Sequence, residues 1–173
     1  MFYRTSLSYA IVNLKPIVPG HVLVIPTRHV ARLADLTTPE LTSLMSSVQQ
    51  VGQVIEKAYN ADALTIACQV ILPAQSGSQR LISFQDGKAA GQSIPHVHFH
   101  LLPRKLHGDK FSGQNDAVYP ALEHAEGGLP HDLKTSHQSL EVDADADRKP
   151  RAMEEMEKEA NWLKTLFSEP LCL

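Results

Sequence analysis

Ser93-Ile94-Pro95-His96-Val97-His98-Phe99-His100-Leu101-Leu102-Pro103-Arg104 alternates three histidines with apolar residues. Residues two apart in a strand share a face, so the spacing predicts a strand over Val97 to Leu102. His96, His98 and His100 would lie side by side while Val97, Phe99 and Leu101 enter a core. A single buried histidine is more often a satisfied core residue than a catalyst, and three on one face also suit a zinc site. The flanks favour a phosphate instead. Gly91-Gln92-Ser93 offers backbone N–H groups and a hydroxyl suited to an anion, and no further Cys or acidic residue stands at a metal-ligand spacing. Nucleotide chemistry without a protein-bound metal is the expectation.

Upstream, Leu7 to Val12 and His21 to Ile25 are β-prone runs divided by Asn13-Leu14-Lys15-Pro16 and Pro19-Gly20, the punctuation of strands joined by tight turns. Thr38-Pro39-Glu40 supplies an N-cap, a proline at the first helical position and a first-turn acid. Leu41, Leu44, Met45, Val48, Val51 and Ile55 then form one apolar stripe to about Tyr59, which predicts a helix packed on the sheet. Ala63 to Ala67 reads as another strand. From 106 to 150 apolar periodicity disappears, predicting a mobile loop. An amphipathic helix is expected over 151–168, with Met153, Met156, Ala160, Leu163 and Phe167 on one face, docking late or against a partner.

With 173 residues, 43% hydrophobic and 20% charged, the chain can bury one core. A net charge of −3 from 16 basic and 19 acidic residues spread along the chain provides no basic face for nucleic acid. Cys68 and Cys172 make no disulfide framework and favour a reducing compartment. No window reaches the roughly 18 apolar residues of a membrane span. The expected location is cytoplasmic or nuclear, with no membrane partner.

His96-Val97-His98-Phe99-His100-Leu101-Leu102 resembles the His-φ-His-φ-His-φ-φ signature of the histidine-triad superfamily. The fragile-histidine-triad branch fits best, through Asn13-Leu14-Lys15-Pro16-Ile17-Val18-Pro19-Gly20-His21-Val22-Leu23, Asp86-Gly87…Ala90-Gly91-Gln92 and Leu102-Pro103-Arg104-Lys105. The likeness runs from about Tyr9 to Tyr119, and the Arg148-Lys149…Met153…Glu159 stretch is similar to fungal members. It implies an α+β fold: a central antiparallel sheet with one main helix and a C-terminal helix. The domain core would be 1–105, and the subunit a homodimer.

The activity implied is cleavage of a dinucleoside polyphosphate, such as diadenosine triphosphate to AMP and ADP, with magnesium or manganese accompanying the substrate phosphates. A neutral imidazole is a competent nucleophile, and the middle histidine, His98, takes that role through a nucleotidyl intermediate. His96 and its carbonyl would orient His98, His21 resembles the family's fourth, supporting histidine, and His100 would contact phosphate oxygens. Gly91, Gln92, Ser93 and Ile94 would supply donors from the loop. Asn13 resembles a residue on the ribose side, although a turn asparagine bonding its own backbone is equally consistent. Arg104 and Lys105 would draw polyanions or stand solvated. Tyr119 matches a family tyrosine in position only.

Two departures stand out. Ala67-Cys68-Gln69 is parted from Asp86-Gly87 by residues 70–85, whose removal restores the family register. Valine codons begin GT and a glutamine codon can end AG, the usual intron borders, so a retained intron is the expectation against a tolerated surface insertion. The substrate-binding family glutamine is then Gln85 by position, or Gln69 in a spliced form. The segment before Tyr9 is also shorter than the family pattern, so Met1 reads as an internal methionine of a truncated gene model, at some cost to the sheet edge. Competing readings are a nucleoside phosphoramidase of the sister branch, a nucleotide-binding signalling protein with little turnover, and a zinc-binding histidine cluster.

Overall fold

The computed structural model describes residues 1–68, 94–122 and 150–167. Five strands, β1 (Tyr3–Arg4), β2 (Ser8–Val12), β3 (Val22–Pro26), β4 (Ala63–Cys68) and β5 (Phe99–Arg104), form one antiparallel sheet in the order β1-β2-β3-β5-β4. Helices α1 (Thr38–Tyr59) and α2 (Met153–Leu166) complete the expected α+β architecture. No described helix is long and apolar enough to cross a membrane.

Alternation in β5 divides its side chains between two faces. Phe99 and Leu101, with Val22 and Val24 of β3, meet Leu44, Val48, Val51 and Ile55 of α1 in the main core. Gly52 lets α1 approach the sheet closely, because a Cβ there would lie 2.8 Å from Leu64 Cδ1. Leu41 and Met45, expected in the buried stripe, are 41% and 44% exposed. The arc of α1 that the sheet covers is narrower than its apolar arc. The helix also starts one residue earlier than expected: Thr37 is the N-cap, and its amide and hydroxyl both donate to Glu40 Oε2 at 2.8 Å. Arg28 donates to both oxygens of Glu40 at 2.7 Å.

The strand expected over Val97 to Leu102 is displaced to Phe99–Arg104. Residues 94–96 bend, with His96 N donating to Ile94 O at 2.7 Å, while Val97 N donates to Val30 O at 2.8 Å. Pro103 is tolerated within β5 because the strand there has passed its last pairing with β3, Leu101 with Val22, and faces β4 alone.

Leu102, on the other face of β5, belongs to a second core with Ile17, Val18, Phe111, Val118 and Leu122. The span read as a loop therefore opens, over 106–122, as a packed segment that buries Phe111, Val118 and Leu122. Arg104 organises it. Its guanidinium is buried, donates to Asp109 Oδ2 at 2.6 Å and to Thr65 Oγ1 at 3.2 Å, and lies over the Phe111 ring. Burial pushes the Asp109 carboxyl up, but Arg104 and the amides of Phe111 and Lys105 together hold it below its ordinary value.

Helix α2 docks on the main core through Ala160 and Leu163, with Met156 and Phe167 alongside. Met153, expected on that face, is 69% exposed in the first turn. Phe167 packs against Tyr3, and Trp162 meets Tyr59 edge-on. Tyr59 closes the other end of α1 against the turn between β2 and β3. Gly20 there has φ +79°, and a Cβ on it would fall 2.5 Å from the Tyr59 ring.

Candidate active site

Three imidazoles gather where β5 begins. The rings of His98 and His100 have centroids 5.1 Å apart, as do those of His100 and His21, which enters from the start of β3. All three are buried. His96 stands apart, half-buried on the bend, with its ring stacked on His29 at 4.7 Å and its Nδ1 3.3 Å from both the amide and the carbonyl of Val30. The three triad rings thus do not form one unbroken row on a strand face, because the chain bends before β5 starts.

Proton positions follow from partners that can only donate or only accept. His98 Nδ1 lies 2.8 Å from the carbonyl oxygen of His96. A carbonyl only accepts, so Nδ1 carries the proton and the lone pair is on Nε2. The backbone N–H of Ile17 donates to His21 Nδ1 at 3.3 Å, which leaves the proton of His21 on Nε2. That Nε2 is 2.8 Å from His100 Nδ1, so His21 donates and His100 keeps its own proton on Nε2. Asn13 Nδ2 sits 3.3 Å from His21 Nε2, and with His21 donating to His100 both atoms carry protons, so neither accepts from the other. Asn13 Oδ1 accepts from Lys15 N at 2.8 Å, so the asparagine caps its own turn while its amide faces the histidines. Burial, the largest influence, lowers the His96 pKa, and the neighbouring His29 and His98 rings act in the same direction against the bond to Val30.

The arrangement places a lone pair on His98 Nε2 and an N–H donor on His100 Nε2, on adjacent rings. Of the other expected site residues, Ile94 lies on the bend as partner of the His96 amide, whereas Gln85, Gly91, Gln92, Ser93 and Gln69 lie outside the described residues. Arg104 is tied down within the fold, and Lys105 is exposed beside it. The described residues contain no group of three His, Cys, Asp or Glu side chains able to hold a metal ion. Sequence reasoning missed Ile17, whose amide sets the His21 tautomer, and His29, which backs His96. It also missed Arg151, which donates through Nε to the Asn13 carbonyl at 3.2 Å. The Pro-Gly turn before His21 signalled the first, and nothing local signalled the others.

Comparison with known proteins identifies the family. Residues 1–107 match the family model described as HIT domain. The chain is 49% identical to a Schizosaccharomyces pombe protein named bis(5'-nucleosyl)-tetraphosphatase [asymmetrical], covering 98% of this chain and 89% of the relative. It is 42% identical to the Arabidopsis thaliana bifunctional bis(5'-adenosyl)-triphosphatase/adenylylsulfatase FHIT, over 96% of this chain and 77% of that protein. A Dictyostelium discoideum bis(5'-adenosyl)-triphosphatase is 39% identical, over 98% and 86%. Among solved structures, C. elegans NitFhit superposes with a TM-score of 0.59 at 32% identity, covering 95% of this chain and 26% of that one. The Plasmodium falciparum diadenosine triphosphate hydrolase shares the fold, with a TM-score of 0.60 at 24% identity over 96% and 75%. A fourth histidine from a distant turn, a triad whose middle ring is held by the first residue's carbonyl, and similarity over nearly the whole length lead to one assignment: the chain belongs to the HIT-domain family, in its fragile-histidine-triad branch.

Proposed function

We propose that this protein is a dinucleoside polyphosphate hydrolase that cleaves substrates such as diadenosine triphosphate at an α-phosphorus. The observation that carries the reading is the bond from His98 Nδ1 to the His96 carbonyl, which directs the His98 lone pair to Nε2. In the first step the Nε2–P bond forms and the bond from phosphorus to the bridging oxygen breaks, the electron pair leaving with ADP. Water then attacks phosphorus, the P–N bond breaks, and AMP is released with His98 restored. His100, kept as an Nε2–H donor by His21, stabilises the charge growing on phosphate oxygens. By resemblance to the family, Asn13 would contact the nucleotide, Gly91 to Ile94 would supply donors to the phosphates, and Gln85 would meet the bridging and leaving oxygens. A magnesium or manganese ion travels with the substrate. Phosphate oxygens, the hard donors that such an ion prefers, would be its ligands.

The protein is also proposed to act as a homodimer. Support comes from the exposed apolar groove where Leu41, Met45 and Val48 of α1 meet Ile66 of β4, the sheet's edge strand among the described residues. Sedimentation of the wild type and of Ile66→Asp tests this, and a wild-type monomer at micromolar concentration would overturn it.

The activity is tested by incubating the protein with diadenosine triphosphate or tetraphosphate and magnesium, then separating the products. Equal release of AMP and ADP from the triphosphate, absent with His98→Ala, is expected, together with acid-labile nucleotidyl label on the protein after rapid quenching. A folded protein that releases nothing, or an active His98→Ala, overturns the proposal.

A further inference from the structure

The β2–β3 ladder ends at the pair Val12 and Val22, followed by one further bond from Asn13 N to His21 O at 3.1 Å. The next two carbonyls of the turn, those of Asn13 and Leu14, lie beyond the ladder, and a single residue far along the chain, Arg151, takes up both. Arg151 Nε and Nη2 both donate to the Asn13 carbonyl, and the Arg151 amide donates to the Leu14 carbonyl at 3.1 Å. The remaining arm of the guanidinium, Nη1, is paired with Glu159 Oε2. Glu159 Oε1 in turn accepts from the Tyr59 hydroxyl at 2.5 Å, and the Tyr59 ring lies against Gly20 at the far end of the same turn. Both ends of the turn that carries Asn13 and His21 are therefore held by one connected set of side chains.

This connection is not what docks α2. Ala160, Leu163 and Phe167 anchor the helix on the core by apolar burial, whereas Arg151 precedes the helix and spends its donors on the turn. A charged donor bonded to a carbonyl away from bulk water is among the stronger hydrogen bonds, and its partner here is the backbone from which the Asn13 side chain projects toward His21. We infer that Arg151, held by Glu159, is a positioning residue for the Asn13–His21 turn, setting the affinity of the site for the nucleotide. The inference rests on the reading of that turn as part of a nucleotide site. It gives the C-terminal helix a function in substrate recognition in addition to closing the core.

The test compares Arg151→Ala with Leu163→Ala, which weakens the docking of α2 without touching the turn. Expected for Arg151→Ala is a KM for diadenosine triphosphate raised about tenfold with kcat changed less than about threefold. Arg151→Lys, which keeps one donor, recovers part of the loss. Leu163→Ala lowers Tm at least as much but leaves KM unchanged below its transition. In long-range ¹H–¹⁵N spectra of the imidazoles, His21 should be a single Nε2–H tautomer in the wild type and shift toward a mixture in Arg151→Ala. KM and His21 signals unchanged in folded Arg151→Ala would overturn the inference, as would KM changes that simply follow Tm in both variants. If the wild type does not turn over the substrate, that result counts against the hydrolase reading, and the His21 spectra still decide the role of Arg151.

Discussion

His21 Nε2 donates its proton to His100 Nδ1 across 2.8 Å, between residues 79 positions apart in the chain. Because the Ile17 amide occupies the other nitrogen of His21, the direction of this bond is determined from the backbone outward. His100 can then offer only a donor at its far nitrogen. Replacing His21 by Gln leaves His100 free to take either tautomer. By analogy with outer partners of metal-bound imidazoles, kcat should fall about 10- to 100-fold, with KM changed little. Steady-state kinetics at saturating diadenosine triphosphate check this, and an undiminished kcat would remove His21 from the mechanism.

Acid stability should report on the start of α1. The Glu40 carboxyl is held down to about 2, chiefly by its bond from Arg28 and then by the amide and hydroxyl of Thr37, against an ordinary value of 4.5. A carboxyl lowered on folding contributes stability that is complete above its unfolded value and is lost as pH falls through the folded one. Urea denaturation of Glu40→Gln should therefore show lower stability than wild type above about pH 4.5, with the difference closing toward pH 2. A constant difference across that window would sink the assignment.

Arg104 and Asp109 form a pair whose side chains are only 10% and 4% exposed. Removing one member strands the other, at a cost of about 3 kcal/mol for a buried pair. Asp109→Ala should lose about that much in denaturant titrations, whereas Lys105→Ala, exposed beside it, should lie within about 0.5 kcal/mol of wild type. Equal, small effects would show that Arg104 needs no counter-charge.

Residues 70–85 offer a test on Gln85, although they lie outside the described residues. Deleting them sets Gln69 beside Asp86-Gly87. The shortened chain is expected to fold and to hydrolyse diadenosine triphosphate, and transcripts lacking the corresponding codons should be found. In the full-length chain, Gln85→Ala should reduce turnover and Gln69→Ala should not. An inactive deletion variant would tie the activity to the longer form, and transcripts that all retain the stretch would exclude an intron.

Legibility in the sequence followed the range of the interaction. The bond from His98 to the His96 carbonyl spans two residues, and the alternating histidines displayed it directly. The span of α1 was readable because apolar spacing and the acid after Thr37 are both local signals. Its N-cap was misplaced by one residue because Thr37 and Thr38 offer the same chemistry, and only the Glu40 carboxylate chooses between them. Leu41 and Met45 carry the periodicity of a core but project beyond the arc of α1 that the sheet covers, which no single-helix pattern records. Met153 failed for a related reason, since the apolar face of α2 reaches the core only from its second turn. Least visible were the contacts of Arg151, whose acceptors are main-chain carbonyls: a carbonyl belongs to every residue, so its partner leaves no mark on the residue type.

The three described glycines with positive φ illustrate how differently one residue type is constrained. Gly108 and Gly113 have open space where a Cβ would go, but Gly20 has the Tyr59 ring there. In a saturation library selected for activity, positions 108 and 113 should return Asn and Asp beside Gly, as left-handed backbone allows. Position 20 should return Gly alone, unless position 59 changes with it to a smaller residue. The pair would then surface in descendants as a correlated substitution, and the tolerance of the turn to mutation would be recorded at a residue on the opposite side of the contact.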